Sequence, residues 1–218
     1  MNNKAVSRVE RRRQQTRQEI IETTWKIIDE NSLANLSVDA VAKAMGITKP
    51  AIYYYFPSKQ VLLQALIVEA LSIEVDQLCA AIDEAKTGTQ ALGMVVRTFV
   101  NYYSQHTDRF RLVYLQSQLV GLSKLGINSE STKELIHPYT NIFFDKLVAK
   151  LDEDRERGEL VSQLNPRRLA MTAHLAGIGV MTMKGVADSA QDPLKFSDEE
   201  LIEEYTQLFL LTNVNNGV

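Results

Sequence analysis

Cysteine is almost missing from this chain. Cys79 stands alone in 218 residues, so no intrachain disulfide can form and no thiolate cluster can hold a metal. Five prolines and ten glycines are too few for a fold built on many tight turns, and no long run alternates Val, Ile and Thr. What remains is an all-α fold. No apolar stretch reaches membrane-spanning length, and the N-terminus is polar and basic where an export signal would be apolar. The expected location is therefore the cytoplasm, with no membrane partner. The three histidines are scattered. Glu134-x-x-His137 has the spacing of half a di-iron carboxylate site, but the second Glu-x-x-His is absent. Gly177-Ile-Gly179 lacks the third glycine of a dinucleotide fingerprint. No nucleophile and base pair stands out, so neither an enzyme nor a bound cofactor or metal is expected.

Charge is present but unevenly placed. The net charge is −3. Residues 1–60 carry ten Lys/Arg against six Asp/Glu, whereas the remainder carries fourteen against twenty-one. The first part is thus at +4 and the rest at −7. A basic head on an acidic body points to a polyanion bound at one end only. Six of the basic residues (Lys4, Arg8, Arg11, Arg12, Arg13 and Arg17) fall in the first seventeen positions, an arm suited to phosphates or a minor groove.

The stretch Leu36–Leu63 has the layout of a helix-turn-helix. Ser37 can N-cap a helix whose buried stripe is Val38, Val41, Ala42 and Met45. Gly46 falls where the chain must turn at positive φ. Thr48 can cap the next helix, with Pro50 in its first turn. Leu36 with Val41, and Ile47 with Ile52, form hydrophobic staples across the two caps. A preceding helix is expected over about 14–31, with Ile20, Ile21, Trp25, Ile27 and Ile28 on its apolar side and Trp25 in the core. A long helix is expected from Ser58, with Leu62, Leu63, Leu66, Leu71, Val75 and Leu78 at helical spacing. At roughly 25 residues it spans about 40 Å. Further helices are expected over about 89–105, 108–120, 131–157, 166–186 and 197–211, with a loop over 121–130. Asn165 and a Ser197/Glu200 capping box open the last two.

The stretch from about Thr16 to Leu63 resembles the N-terminal domain of the TetR family of bacterial transcriptional regulators. The resemblance rests on Leu36-Ser37, Val41-Ala42, Ala44 to Lys49, Ile52 to Lys59 and Leu62-Leu63, a fixed register ending in Tyr-x-Tyr-Phe-x-Ser-Lys. It implies a three-helix DNA-binding domain at 1–57, followed by a larger helical ligand-binding and dimerisation domain at 58–218, about nine helices in all. It also implies that residues 48–54 enter the major groove. Lys49 is then the candidate for base readout, with Thr48, Pro50 and Ala51 lining the groove. Tyr53, Tyr54, Tyr55 and Lys59 would hold phosphates, with Ser37, Arg13 and Arg17 beside them. Asp39, a carboxylate at the start of the second helix, is not expected to touch DNA.

For the C-terminal part the resemblance implies an effector pocket and a homodimer formed by the last two helices. Candidate pocket residues are Phe99, Tyr102, Tyr103, Phe110, Tyr114, Phe143, Phe144 and Met181, with Gln116, Gln118 and His174 as polar fixers. The small residues Ala170, Ala173 and Gly177, with Leu201, Tyr205 and Leu208, are the expected dimer contact. The expected function is that of a sequence-specific regulator, a ligand-responsive repressor acting as a homodimer on a near-palindromic operator in double-stranded DNA. The rival expectations are a ligand-independent or nonspecific architectural DNA binder, and a helical enzyme or carrier.

Overall fold

The computed structural model describes residues 7–115, 134, 136–160, 164–190 and 196–210, excepting the side chains of 186–190. The expected loop at 121–130, parts of the helices expected over 108–120, 131–157 and 197–211, and Lys4, Gln116 and Gln118 lie outside the described residues. Nine α-helices occur among them: α1 (Arg8–Asn31), α2 (Val38–Met45), α3 (Lys49–Tyr55), α4 (Lys59–Glu84), α5 (Gly88–Gln105), α6 (Thr107–Phe110), α7 (His137–Glu156), α8 (Pro166–Ala190) and α9 (Asp198–Leu210). A single 3-10 turn, Leu33–Asn35, joins α1 to α2. No strand occurs among the described residues, and no described helix is long and apolar enough to cross a membrane.

The described residues divide into two compact units. One comprises 7–69 with 111–115; the other comprises 70–110 with the described residues from 134 onward. The expected division at 57/58 followed the motif, whereas the first turns of α4 belong to the first unit by their contacts.

Local chemistry explains the elements of the first unit. Ser37 Oγ accepts the Ala40 N–H at 3.1 Å and Thr48 Oγ1 accepts the Ala51 N–H at 3.3 Å. Gly46 closes α2 at φ 65°, a left-handed conformation that costs glycine nothing. Its core is Ile20, Ile28, Val41, Ile52, Phe56, Leu62 and Leu66, each at most 1% exposed. Trp25 is buried with them, and its indole N–H donates to Glu69 on α4.

The first helix begins earlier than expected. The basic segment at 8–13 is not an extended arm; it forms the first turns of α1. Ser7 Oγ accepts the Glu10 N–H at 3.1 Å, and the Glu10 carboxylate accepts the Ser7 N–H at 3.0 Å. This is a capping box, and these bonds hold the Glu10 carboxyl below its usual pKa.

In the second unit α5 is the central helix, packed against α7, α8 and α9. The buried Asp154 carboxylate accepts the Gly88 N–H at 2.5 Å, so α7 caps α5, and its other oxygen accepts from Arg157 at 2.6 Å. Asn165 Oδ1 caps α8 through the Arg167 N–H at 2.9 Å. Ser197 and Glu200 make the expected capping box on α9. Lys184 on α8 pairs with Asp198 on α9 at 2.5 Å.

Candidate nucleic-acid interface

The two caps and the Gly46 turn present α3 with one side buried and the other open. Ile52 and Phe56 face the core, at 0% and 1% exposed. Thr48, Lys49, Pro50, Tyr53 and Tyr54 are exposed, with Ala51 and Tyr55 at the margin. The open face therefore carries an ammonium, two phenol hydroxyls and the apolar Pro50 and Ala51, groups that can meet base edges and phosphates.

The basic start of α1 runs beside this face. Arg8, Val9, Arg12 and Arg13 line a cleft of about 450 Å³ with Tyr54 and Tyr55. The Arg13 guanidinium carbon lies 5.5 Å from the centre of the Tyr54 ring, and Tyr54 meets Tyr55 edge-on at 5.1 Å. Helix α1 thus extends the positive surface past the C-terminal end of α3. Arg8 and Arg12 join the residues expected from the motif; the Ser7-x-x-Glu10 spacing was the signal that the arginines share a helical face.

Two expected phosphate ligands have internal partners. Arg17 donates to the Tyr55 carbonyl at 3.0 Å and lies 4.1 Å from the Phe56 ring centre, so it caps α3 at its C-terminal end. Burial and the neighbouring Arg13 charge depress its pKa. Lys59 donates to the Leu36 carbonyl at 2.6 Å, just before the Ser37 cap. That bond pins α4 to the entry of α2 and leaves further ammonium protons for an anion. Lys49, expected at the base edges, is hydrogen-bonded to Asp39 at 2.7 Å, which raises its pKa. Asp39, not expected to touch DNA, is thus tied to the residue expected to read it.

The expected effector residues of the second unit form one buried cluster. Phe99 lies 4.8 Å from Tyr103, 6.3 Å from Phe110 and 5.3 Å from His174, ring centre to ring centre. Phe143 and Phe144 also meet His174, at 5.2 and 5.5 Å. Burial pushes the His174 imidazole down to a pKa of about 4. Tyr102 and Met181 are buried as well; Tyr114 belongs to the first unit. Two polar members escaped the sequence reading. Glu74 is 2% exposed and accepts the Tyr103 hydroxyl at 2.6 Å. Arg109 donates to the Tyr102 hydroxyl at 3.1 Å. Glu74 falls on the Leu71–Val75–Leu78 stripe, and that position was its signal.

The expected dimer residues separate into two groups. Ala170 and Ala173 are fully buried inside the protomer, and a Cβ on Gly177 would come within 2.7 Å of Phe99 Cδ1. The small-residue stripe therefore serves the close approach of α8 to α5 and is covered within the protomer. The opposite face of α8 leaves Met171, Leu175 and Met183 exposed, and α9 leaves Leu208 exposed with Leu201 and Tyr205 partly so.

Residues 20–66 match the sequence profile described as bacterial regulatory proteins, tetR family. The chain is 26% identical over 156 residues to the HTH-type transcriptional regulator EthR of Mycobacterium tuberculosis, covering 72% of this chain and 69% of that one. Its fold is similar to that of a TetR/AcrR-family transcriptional regulator from Thermobifida fusca, with a TM-score of 0.69 at 22% identity over 93% of this chain and 98% of that one. It is similar also to FadR from Bacillus subtilis, solved in complex with stearoyl-CoA, with a TM-score of 0.62 at 19% identity over 92% and 98% of the two chains.

Proposed function

We propose that this chain, a transcriptional regulator of the TetR family, is a ligand-responsive repressor that reads its operator through α3. The observation that carries this reading is the open face of α3, with Lys49, Tyr53 and Tyr54 exposed beside the arginines of α1. A helix of seven residues can enter a major groove while flanking cations hold the phosphates. Lys49 reads bases, Pro50 and Ala51 meet thymine methyls, and Tyr53 and Tyr54 bond phosphates. Arg8, Arg12 and Arg13 extend the phosphate contacts, while Arg17 holds α3 in place.

The repressor acts as a homodimer on a near-palindromic site in the cytoplasm. Its contact is the exposed apolar face of α8 and α9 (Met171, Leu175, Met183 and Leu208), which a second copy would cover. The effector enters the aromatic cluster around Phe99 and His174, where Glu74 and Arg109 supply polar contacts. The complex of the similar FadR with stearoyl-CoA supports a small-molecule effector. Effector binding shifts α4 and alters the spacing of the two DNA-binding heads. The test is a mobility-shift assay of the full chain on DNA upstream of its own gene, repeated with a metabolite panel. A sequence-selective shift released by one metabolite is expected; binding indifferent to sequence and to every metabolite would overturn the reading.

A further inference from the structure

We propose that Asp39 is a specificity-determining residue of the DNA-binding unit, holding Lys49 so that the pair reads one G·C base pair and ignores bare phosphate. This rests on α3 being the recognition helix. The Gly46 turn brings the first turn of α2 against the first turn of α3, and the Lys49 ammonium meets the Asp39 carboxylate at 2.7 Å. The two side chains are 44% and 68% exposed. An ion pair that open is screened and contributes little to folding.

On a DNA-reading face such a carboxylate has a definite consequence. A lysine carries a point charge on a flexible stem and pairs with any phosphate within reach. Tethered to Asp39, Lys49 loses that freedom, and the pair presents no net charge to the DNA backbone. A phosphate offered alone meets a carboxylate and is repelled. A base pair is different. In the major groove guanine offers the acceptors O6 and N7, and its cytosine offers the N4 amino donor alongside. Lys49 can donate to the first while Asp39 accepts from the second, so both members keep a partner. An A·T pair offers a different order of donors and acceptors, and a bare phosphate satisfies Lys49 alone. Asp39 thus acts by positioning Lys49 and by penalising complexes in which only the ammonium is satisfied.

The experiment uses the full-length protein and a randomised duplex library. Preferred sites, affinity for random-sequence duplex and salt dependence are measured for wild type, Asp39→Asn, Asp39→Glu, Lys49→Ala and the Asp39→Asn/Lys49→Ala double variant. Wild type should enrich a motif in which one G·C pair loses its preference in Lys49→Ala. Asp39→Asn should weaken that same preference about tenfold. It should also tighten random-sequence binding and steepen the salt slope by about one. Asp39→Glu should restore the wild-type pattern, and in the Lys49→Ala background Asp39→Asn should no longer move base preference. Thermal midpoints should be unchanged throughout. A motif whose selectivity stays within twofold in Asp39→Asn, or falls equally in both backgrounds, overturns the inference alone. A wild-type protein that enriches no motif overturns the recognition-helix reading with it.

Discussion

The Arg17 guanidinium donates to the Tyr55 carbonyl oxygen at 3.0 Å while its carbon lies 4.1 Å from the centre of the Phe56 ring. An arginine from α1 thereby satisfies a carbonyl at the end of α3, where no intrahelical donor is available. Its hydrogen bond to a helix-end carbonyl distinguishes it from Arg8, Arg12 and Arg13, which line the cleft.

Arg17→Ala should therefore lower stability by roughly 1 kcal/mol, a charge-assisted bond discounted for solvent exposure. DNA affinity should fall alike on every sequence, with little change in salt slope, because α3 is loosened and no phosphate contact is removed. Arg13→Ala should instead reduce the slope by about one. Titrations at several salt concentrations separate the two, and a full unit lost in Arg17→Ala would return that residue to the phosphate ligands.

Leu175 is 54% exposed at the middle of the open face of α8. Leu175→Glu places a charge where the dimer contact is proposed and should leave helicity and thermal unfolding of the protomer intact. Sedimentation should then show a monomer with operator affinity reduced at least tenfold, since one head alone supplies half the contacts. A variant that stays dimeric excludes this face as the contact.

His174 ties stability to pH. Burial depresses its pKa from 6.5 to about 4, so between those values the unfolded chain binds a proton that the folded protein refuses. Stability is full above the unfolded value and declines as pH falls from about 6.5 towards 4, by roughly 3 kcal/mol in all. Carboxylates titrate in the same window, so the measure is the difference from His174→Phe. Denaturant unfolding at pH 7 and pH 4 should show a loss larger in wild type than in that variant. Equal losses would mean that His174 is protonated in the folded state.

Gly88 opens α5 against Leu151 of α7. A Cβ there would lie 2.8 Å from the Leu151 Cα, and the Gly88 N–H already bonds Asp154 at 2.5 Å. Backbone cannot yield as a side chain does, so Gly88→Ala should cost about 2–3 kcal/mol through displaced packing and a weakened cap. Chemical denaturation gives the number directly; a change under 0.5 kcal/mol, roughly the level of an exposed surface substitution, would show that α7 moves aside freely.

Most of the exposed face of α3 was legible in the residues because its determinants are local. Ser37 caps Ala40 three residues on, Thr48 caps Ala51 likewise, and Gly46 alone at that turn accepts φ 65°. The same locality makes the Ser7/Glu10 box readable, although a run of arginines masked it as an arm. Composition and spacing also settled the all-α class, since helical periodicity needs only neighbours three and four apart.

The partners of the functional side chains were decided by tertiary structure. Arg17 meets Tyr55 across 38 positions and Lys59 meets Leu36 across 23. Lys49 meets Asp39 across a turn whose angle no sequence spacing specifies. An apolar or small-residue stripe states that a helix face will be covered and says nothing of what covers it. The stripe Ala170, Ala173 and Gly177 pointed to a dimer contact, but small residues suit a seat for α5 as well, and Phe99 lies against Gly177 within the protomer. Turns, caps and most helix starts are written locally, because they follow from bonds within a few residues, and the basic end is plain from composition. Which cation stays open, which caps a helix and which face of α8 is left uncovered depend on distant elements meeting, and they emerge only from the packing.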